Sequence, residues 1–150
     1  MTDVTARLRH DKLIFETKVD LDRDLSVTQI VFHVAPRINA AGRLGDANRS
    51  VELLTTTDTD IANQLAQELD QENLSRRVIQ QGVVDDALFL VNSEVDLEKD
   101  KAIVLGSRGW HQGVVGIAAS KIKEEFNRPS IIISFDEEGN GKGSARSIKG

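Results

Sequence analysis

The chain has 150 residues, 39% of them apolar and 29% charged, with a net charge of −5, two prolines and no cysteine. That length suits one ordinary domain with a sizeable core, and the lack of cysteine excludes a disulfide framework, a thiolate metal site and a cysteine nucleophile. No apolar run approaches the roughly 20 residues of a membrane span, and Met1-Thr2-Asp3-Val4-Thr5 lacks a signal-peptide pattern, so a cytoplasmic protein is expected.

In chain order, Asp11 to Val19 mixes apolar and polar residues with some β-branching, which predicts a short strand. Asp20-Leu21-Asp22-Arg23-Asp24 opens like a calcium loop. Leu25 stands at the sixth position, where glycine is needed, and Val31 at the twelfth, where glutamate is needed, so an acidic solvated turn is the reading. Val27, Ile30, Val31 and Val34 fit one face of a short helix that Pro36 ends or kinks. Arg37 to Gly45, with two arginines, an asparagine and two glycines, predicts a loop. Asp46 can cap a helix through Leu54, with Val51, Leu53 and Leu54 inward. Thr55 to Asp58 ends it and offers caps for the next.

From Thr59 to Asn92 the pattern is helical, with Ile61, Leu65, Leu69, Val78, Leu88 and Val91 recurring and Gly82 as the weak point. Such a helix would be about 50 Å long. The stretch Asp70 to Arg77 has too few apolar residues for a sustained heptad, so a connecting helix between two domains fits better than a coiled coil. Beyond Asp100 follow a short buried strand at Ala102–Leu105, a loop at Gly106–Gly113, and a helix from Val114 to Phe126 closed by Asn127-Arg128-Pro129. Next come a buried strand at Ser130–Phe135, a turn, and a last strand from about Lys142. Strand–helix–strand is a βαβ unit, whose two strands should be parallel.

The bulk charge weighs mildly against a general nucleic-acid coat, but it is unevenly spread. Residues 1–100 hold 11 Lys and Arg against 19 Asp and Glu, net −8; residues 101–150 hold 8 against 5, net +3. Three segments are candidates for chemistry. The first is the loop before the Val114–Phe126 helix, where ligands of open α/β sheets bind. There Gly106, Gly109, Gly113 and Gly116 permit close approach, His111 can donate to a phosphate or relay a proton, and Trp110 can stack a base or simply pack. The second is Gly143-Ser144-Ala145-Arg146-Ser147, whose hydroxyls and arginine fork suit phosphate, although such runs are also common turns. The third is Arg37 to Arg43, equally readable as a helix-linking turn with solvated arginines. His10, His33 and His111 show no paired metal-ligand spacing.

Together and in this order, Pro36-Arg37-Ile38-Asn39-Ala40-Ala41-Gly42-Arg43, Trp110-His111-Gln112-Gly113-Val114-Val115-Gly116-Ile117-Ala118-Ala119-Ser120 and Gly143-Ser144-Ala145-Arg146-Ser147 resemble the later motifs of the RecJ family. These are single-strand-specific 5′-to-3′ DNA exonucleases of the DHH phosphoesterase superfamily, serving DNA repair and recombination. The resemblance implies an α/β fold. Residues 1–54 would be the end of the DHH catalytic domain, 55–97 a long connecting helix, and 98–150 an incomplete, βαβ-containing DHH-associated domain that binds substrate. It implies single-stranded DNA as the partner, and Mn2+ or Mg2+ in the full-length protein, held by Asp and His residues that include an Asp-His-His triplet.

That triplet does not occur in this chain, so neither a catalytic residue nor a bound metal is expected here, beyond an assisting role for His111. The implied DNA-phosphate-binding set is Arg37, Asn39, Arg43, His111, Gly143, Ser144, Arg146 and Ser147. Within it Arg43, His111, Ser144 and Arg146 would meet phosphates near the cleavage point, and Asn39 would order its own loop. The basic, glycine-rich run at the end of the sequence suggests an internal slice of a longer protein. Two rival readings are another DHH phosphoesterase acting on small nucleotides or short oligonucleotides, and a non-catalytic interaction module built on the long helix.

Overall fold

The computed structural model describes residues 26–149, so the strand expected at 11–19 and the acidic turn at 20–24 lie outside the described residues. The chain divides into two compact units, one up to Arg76 and one from Arg77.

In the first unit, Ser26 opens helix α1 (Val27–Gln29) through a capping box: its hydroxyl accepts from the Gln29 N–H, and the Gln29 side chain accepts from the Ser26 N–H. The chain continues through a π-helical segment, Ile30–Val34, into helix α2 (Ala35–Leu44). Pro36 therefore does not end the helix. It sits in the first turn of α2, directly after the π-helical segment. The Ala35 N–H just before it bonds five residues back, to the Ile30 carbonyl, and this wider turn accommodates the ring.

The expected loop from Arg37 to Gly45 is likewise helical as far as Leu44. Ala40 and Ala41 are fully buried, and that burial outweighs the loop-like composition. Helix α3 (Asn48–Thr55) begins where the Asp46 carboxylate accepts from the Asn48 N–H at 2.9 Å. Leu53 points inward as expected, but Val51 is 59% exposed. Ser50 takes the inner row instead, its hydroxyl satisfied by the Ile38 carbonyl at 3.0 Å.

Helix α4 (Thr59–Glu94) starts at Asp58, whose carboxylate accepts from the N–H groups of Asp60 (2.8 Å) and Ile61 (3.2 Å). Its 36 residues extend about 54 Å. Ala62, Leu65, Ala66 and Leu69 join Val34, Ala41 and Leu53 in the core of the first unit. Ile61 and Val78, part of the same sequence rhythm, face solvent. The polar stretch that argued against a coiled coil has a packing role. Asp70 pairs with Arg37, Glu72 pairs with Arg49, and buried Asn73 accepts from Arg76.

In the second unit, Val83, Val84, Ala87 and Val91 of α4 pack on a three-stranded sheet and on helix α5 (Val115–Phe126). The sheet order is β1 (Ile103–Ser107), β2 (Ser130–Phe135), β3 (Gly141–Arg146). β1 and β2 are parallel, as the βαβ reading requires, and β3 returns antiparallel with Ser130 opposite Arg146 and Ile132 opposite Ser144. β1 is buried only at alternate positions: Ile103 and Leu105 are inside, and Val104 is 57% exposed. Helix α5 ends at Asn127, whose φ of 46° is the left-handed cap that asparagine tolerates. The buried Ser130 hydroxyl donates to the Ala119 carbonyl at 2.6 Å and pins α5 to β2. Gly106 does not serve ligand approach, because the Phe135 ring covers it: a Cβ there would lie 2.5 Å from the Phe135 Cε2.

The β2–β3 turn is held by Asp136. The Asn140 side-chain amide (3.0 Å) and backbone N–H (2.7 Å) both donate to its carboxylate and lower its pKa. A carboxyl whose folded pKa is depressed contributes stability above its unfolded value, about 3.9, and loses that contribution as pH falls through the folded value. The Asn140 amide resonances should therefore stay constant from about pH 7 to 5 and move only below about pH 4. Asp136→Asn should abolish that acid transition. An unchanged transition in the variant would assign it to another group.

Candidate functional site

In the second unit the sequence motifs converge on one face of β3. Side chains alternate along a strand, so Lys142, Ser144 and Arg146 share the face that carries α5, and Gly143 and Ala145 point away. The Arg146 guanidinium is held at three points. Its Nε donates to the Ser120 hydroxyl at 3.0 Å, and its Nη1 donates to the Ser144 hydroxyl (2.8 Å) and the Ala145 carbonyl (2.7 Å). Nη2 lies over the first turn of α5: a Cβ on Gly116 would come within 3.1 Å of it and within 3.2 Å of the Ser144 Oγ. Among the described residues, neither Arg146 nor Lys142 makes an ion pair.

The first turn of α5 carries no side-chain cap at Val114. Its N–H groups form the positive end of the helix dipole, so a guanidinium beside it is a concentration of positive charge that an anion would relieve. Gly143 is required by the sheet, since a Cβ there would stand 3.0 Å from the Ile132 carbonyl oxygen. Ser147 lies just past β3 and is exposed.

His111 follows β1 in the loop that leads to α5. Trp110 before it is 4% exposed and packs in the core, so it offers no face to a base. The Ser134 hydroxyl donates to the Trp110 carbonyl and draws the loop onto β2. The His111 Nδ1 accepts from the Gly113 N–H at 3.0 Å, and this hydrogen bond assigns the ring proton to Nε2 as a donor. His111 and Lys142 line one cleft with Gln112, Ser134, Asp136 and Asn140. Ser144 and Arg146 continue along the same strand face, about 7 Å further on for every two residues.

In the first unit the helical geometry separates residues that sequence reasoning had grouped in a loop. Asn39 and Arg43 are exposed, four residues apart on one face of α2. They line a groove with Gly42, Ala47 and Val51, so Asn39 does not order a loop. Arg37 points the other way. Its side chain is 12% exposed, its Nε stands 2.7 Å from Asp70, and its Nη1 donates to the His33 carbonyl at 2.7 Å. It ties α2 to α4 and does not belong with the phosphate candidates. The residue that sequence reasoning missed is Ser120. Its spacing from Gly116 marks it as part of the same helix face, but nothing in the sequence pairs it with Arg146.

Among the described residues, no group of three or more His, Cys, Asp or Glu side chains is placed to hold a metal ion, so the donors described do not fit one. No helix among them is long and apolar enough to cross a membrane.

Residues 99–150 match the DHHA1 domain family. The chain is 45% identical over 120 residues to the single-stranded-DNA-specific exonuclease RecJ of Bacillus subtilis, covering 79% of this chain and 15% of that protein. It is 43% identical over 131 residues to the RecJ of Escherichia coli, covering 84% and 22%. Among solved structures, RecJ from Thermus thermophilus in complex with Mg2+ superposes with a TM-score of 0.77 at 34% identity, covering 98% of this chain and 21% of that one. An exonuclease RecJ bound to manganese gives 0.76 at 34% identity, covering 97% and 33%. The chain thus spans a fifth or so of the curated relatives it matches. With a DHHA1 match at residues 99–150 and RecJ-like sequence and structure through most of its length, this chain is similar to a segment of the RecJ exonucleases.

Proposed function

We propose that this chain supplies DNA-phosphate-binding groups to a metal-dependent, single-stranded-DNA-specific 5′-to-3′ exonuclease of DNA repair and recombination in the cytoplasm. On this reading residues 1–54 are the end of a DHH catalytic domain, 55–97 the connecting helix and 98–150 the substrate-binding DHH-associated domain. The observation that carries it is the Arg146 guanidinium, fixed through Nε and Nη1 by neutral acceptors, with Nη2 over the opening turn of α5 and without a hydrogen bond among the described residues. A phosphate oxygen is the natural acceptor for the two N–H donors that remain on Nη2. Ser144 and Ser147 add hydroxyl donors, Gly143 keeps the strand close to β2, and His111 donates from Nε2 in an assisting role. Asn39 and Arg43 form a second polar face in the first unit. Mn2+ or Mg2+ belongs to other parts of the longer protein, and the steps assigned to this chain are binding and orientation.

The test uses the purified chain with Mn2+ and a 5′-phosphorylated single-stranded oligonucleotide. Binding that weakens as salt rises, with no cleavage, is the expected result. Turnover that disappears in Arg146→Ala would place catalysis within this chain. Absence of any binding would remove the phosphate role. Equal or tighter binding of a dinucleotide would favour a phosphoesterase of small nucleotides.

A further inference from the structure

We propose that Ser120 and Gly116 of α5 are positioning residues that hold the Arg146 guanidinium in one orientation without neutralising its charge. This rests on the reading that Arg146 meets a phosphate, and it names residues that no sequence motif had paired with that arginine.

An exposed arginine normally samples many rotamers, and ordering one costs side-chain entropy. Arg146 is exposed, yet two of its three guanidinium nitrogens are engaged. All three acceptors are neutral: the hydroxyls of Ser120 and Ser144 and the Ala145 carbonyl. A carboxylate would order the guanidinium more strongly, but it would also cancel the charge that an anionic ligand needs. Neutral acceptors orient the fork and leave its full positive charge in place.

The Ser120 hydroxyl has one proton, and that proton goes to the Gly116 carbonyl at 3.1 Å. This back-bond turns the oxygen lone pairs toward the Arg146 Nε, which donates at 3.0 Å. Gly116 contributes by what it lacks. A Cβ there would stand 3.1 Å from Nη2 and 3.2 Å from the Ser144 Oγ, so the guanidinium and the Ser144 hydroxyl would have to shift by a few tenths of an ångström. The frame is itself anchored. Ser130, directly opposite Arg146 in the sheet, bonds the carbonyl of Ala119, the residue before Ser120. The separation between α5 and the Arg146 end of β3 is therefore set before any ligand arrives, which lowers the ordering cost of binding.

The test compares Ser120→Ala, Ser120→Thr, Gly116→Ala and Arg146→Ala in the complete 150-residue chain. Affinity is read for a 5′-phosphorylated single-stranded oligonucleotide and for inorganic phosphate. The Arg146 Nε–H resonance of the free protein is followed by nitrogen-15 NMR. Ser120→Ala should weaken both ligands about five- to tenfold, the effect of one lost hydrogen bond. It should also speed exchange of the Nε–H and leave the thermal midpoint in place. Ser120→Thr, which keeps the hydroxyl, should retain binding and the protected Nε–H. Gly116→Ala should weaken binding with Ser120 intact, so the inference stays testable even if Ser120→Ala is poorly folded. Wild-type affinity in both Ser120→Ala and Gly116→Ala, alongside a loss in Arg146→Ala, would overturn the positioning role and leave the phosphate reading standing. Wild-type affinity in Arg146→Ala would overturn the phosphate reading itself.

Discussion

Replacing Arg37 with methionine should destabilise the first unit by about 3 kcal/mol. The Arg37 and Asp70 side chains are 12% and 18% exposed and meet at 2.7 Å. Removing the guanidinium strands the Asp70 charge in a largely dry setting, and it also leaves the His33 carbonyl without the donor that now reaches it at 2.7 Å. The loss is best measured by native-state hydrogen exchange at the Ala41 and Leu69 amides, both buried in that unit's core. Trp110 packs in the core of the second unit, so its fluorescence serves as an internal control. Exchange at Ala41 and Leu69 should accelerate by about 100-fold while the Trp110 transition stays put. Changing both partners, Arg37→Met with Asp70→Leu, should recover most of the stability, because the stranded charge is gone. A change under about 0.5 kcal/mol in the single variant, the range of ordinary surface substitutions, would mean that Arg37 is not a packing residue and would return it to the ligand candidates.

Replacing Arg146 with alanine should cost roughly 2–3 kcal/mol of binding to a 5′-phosphorylated single strand, about 30- to 150-fold in affinity. The side chain is exposed and makes no ion pair among the described residues, so stability should hardly change. Arg146→Lys should recover only part of the affinity. An ammonium keeps the charge, but its three N–H donors cannot engage Ser120, Ser144 and the Ala145 carbonyl and still leave one for the ligand. The slope of affinity against salt should fall by about one phosphate contact in the alanine variant and stay near wild type in the lysine variant. Equal affinity and equal salt slope in all three proteins would remove Arg146 from the interface.

The elements that could be read from the linear pattern are those whose signal is local. The long helix is one, because its polar caps and apolar recurrence extend over 36 residues. The parallel β1–β2 pair is another, because a strand–helix–strand order leaves few topologies. The stop at Asn127 also follows from local chemistry, since asparagine tolerates the left-handed cap. The segment from Arg37 to Gly45 reads as a loop in the sequence because its arginines, asparagine and glycines are loop residues by propensity. Burial of Ala40 and Ala41 against other elements decided for the helix.

The same limit governs the site. The motifs marked Ser144, Arg146 and His111, because residue type and glycine content are visible in one dimension. They could not show that Arg37 is spent on Asp70, 33 positions further along the chain, or that Arg146 leans on Ser120, 26 positions earlier. Residue chemistry and helical or strand period are properties of neighbours in sequence, so composition, element order and family likeness followed from the chain alone. Which arginine is neutralised and which keeps its charge depends on acceptors brought together from distant positions, and folding alone assembles those contacts.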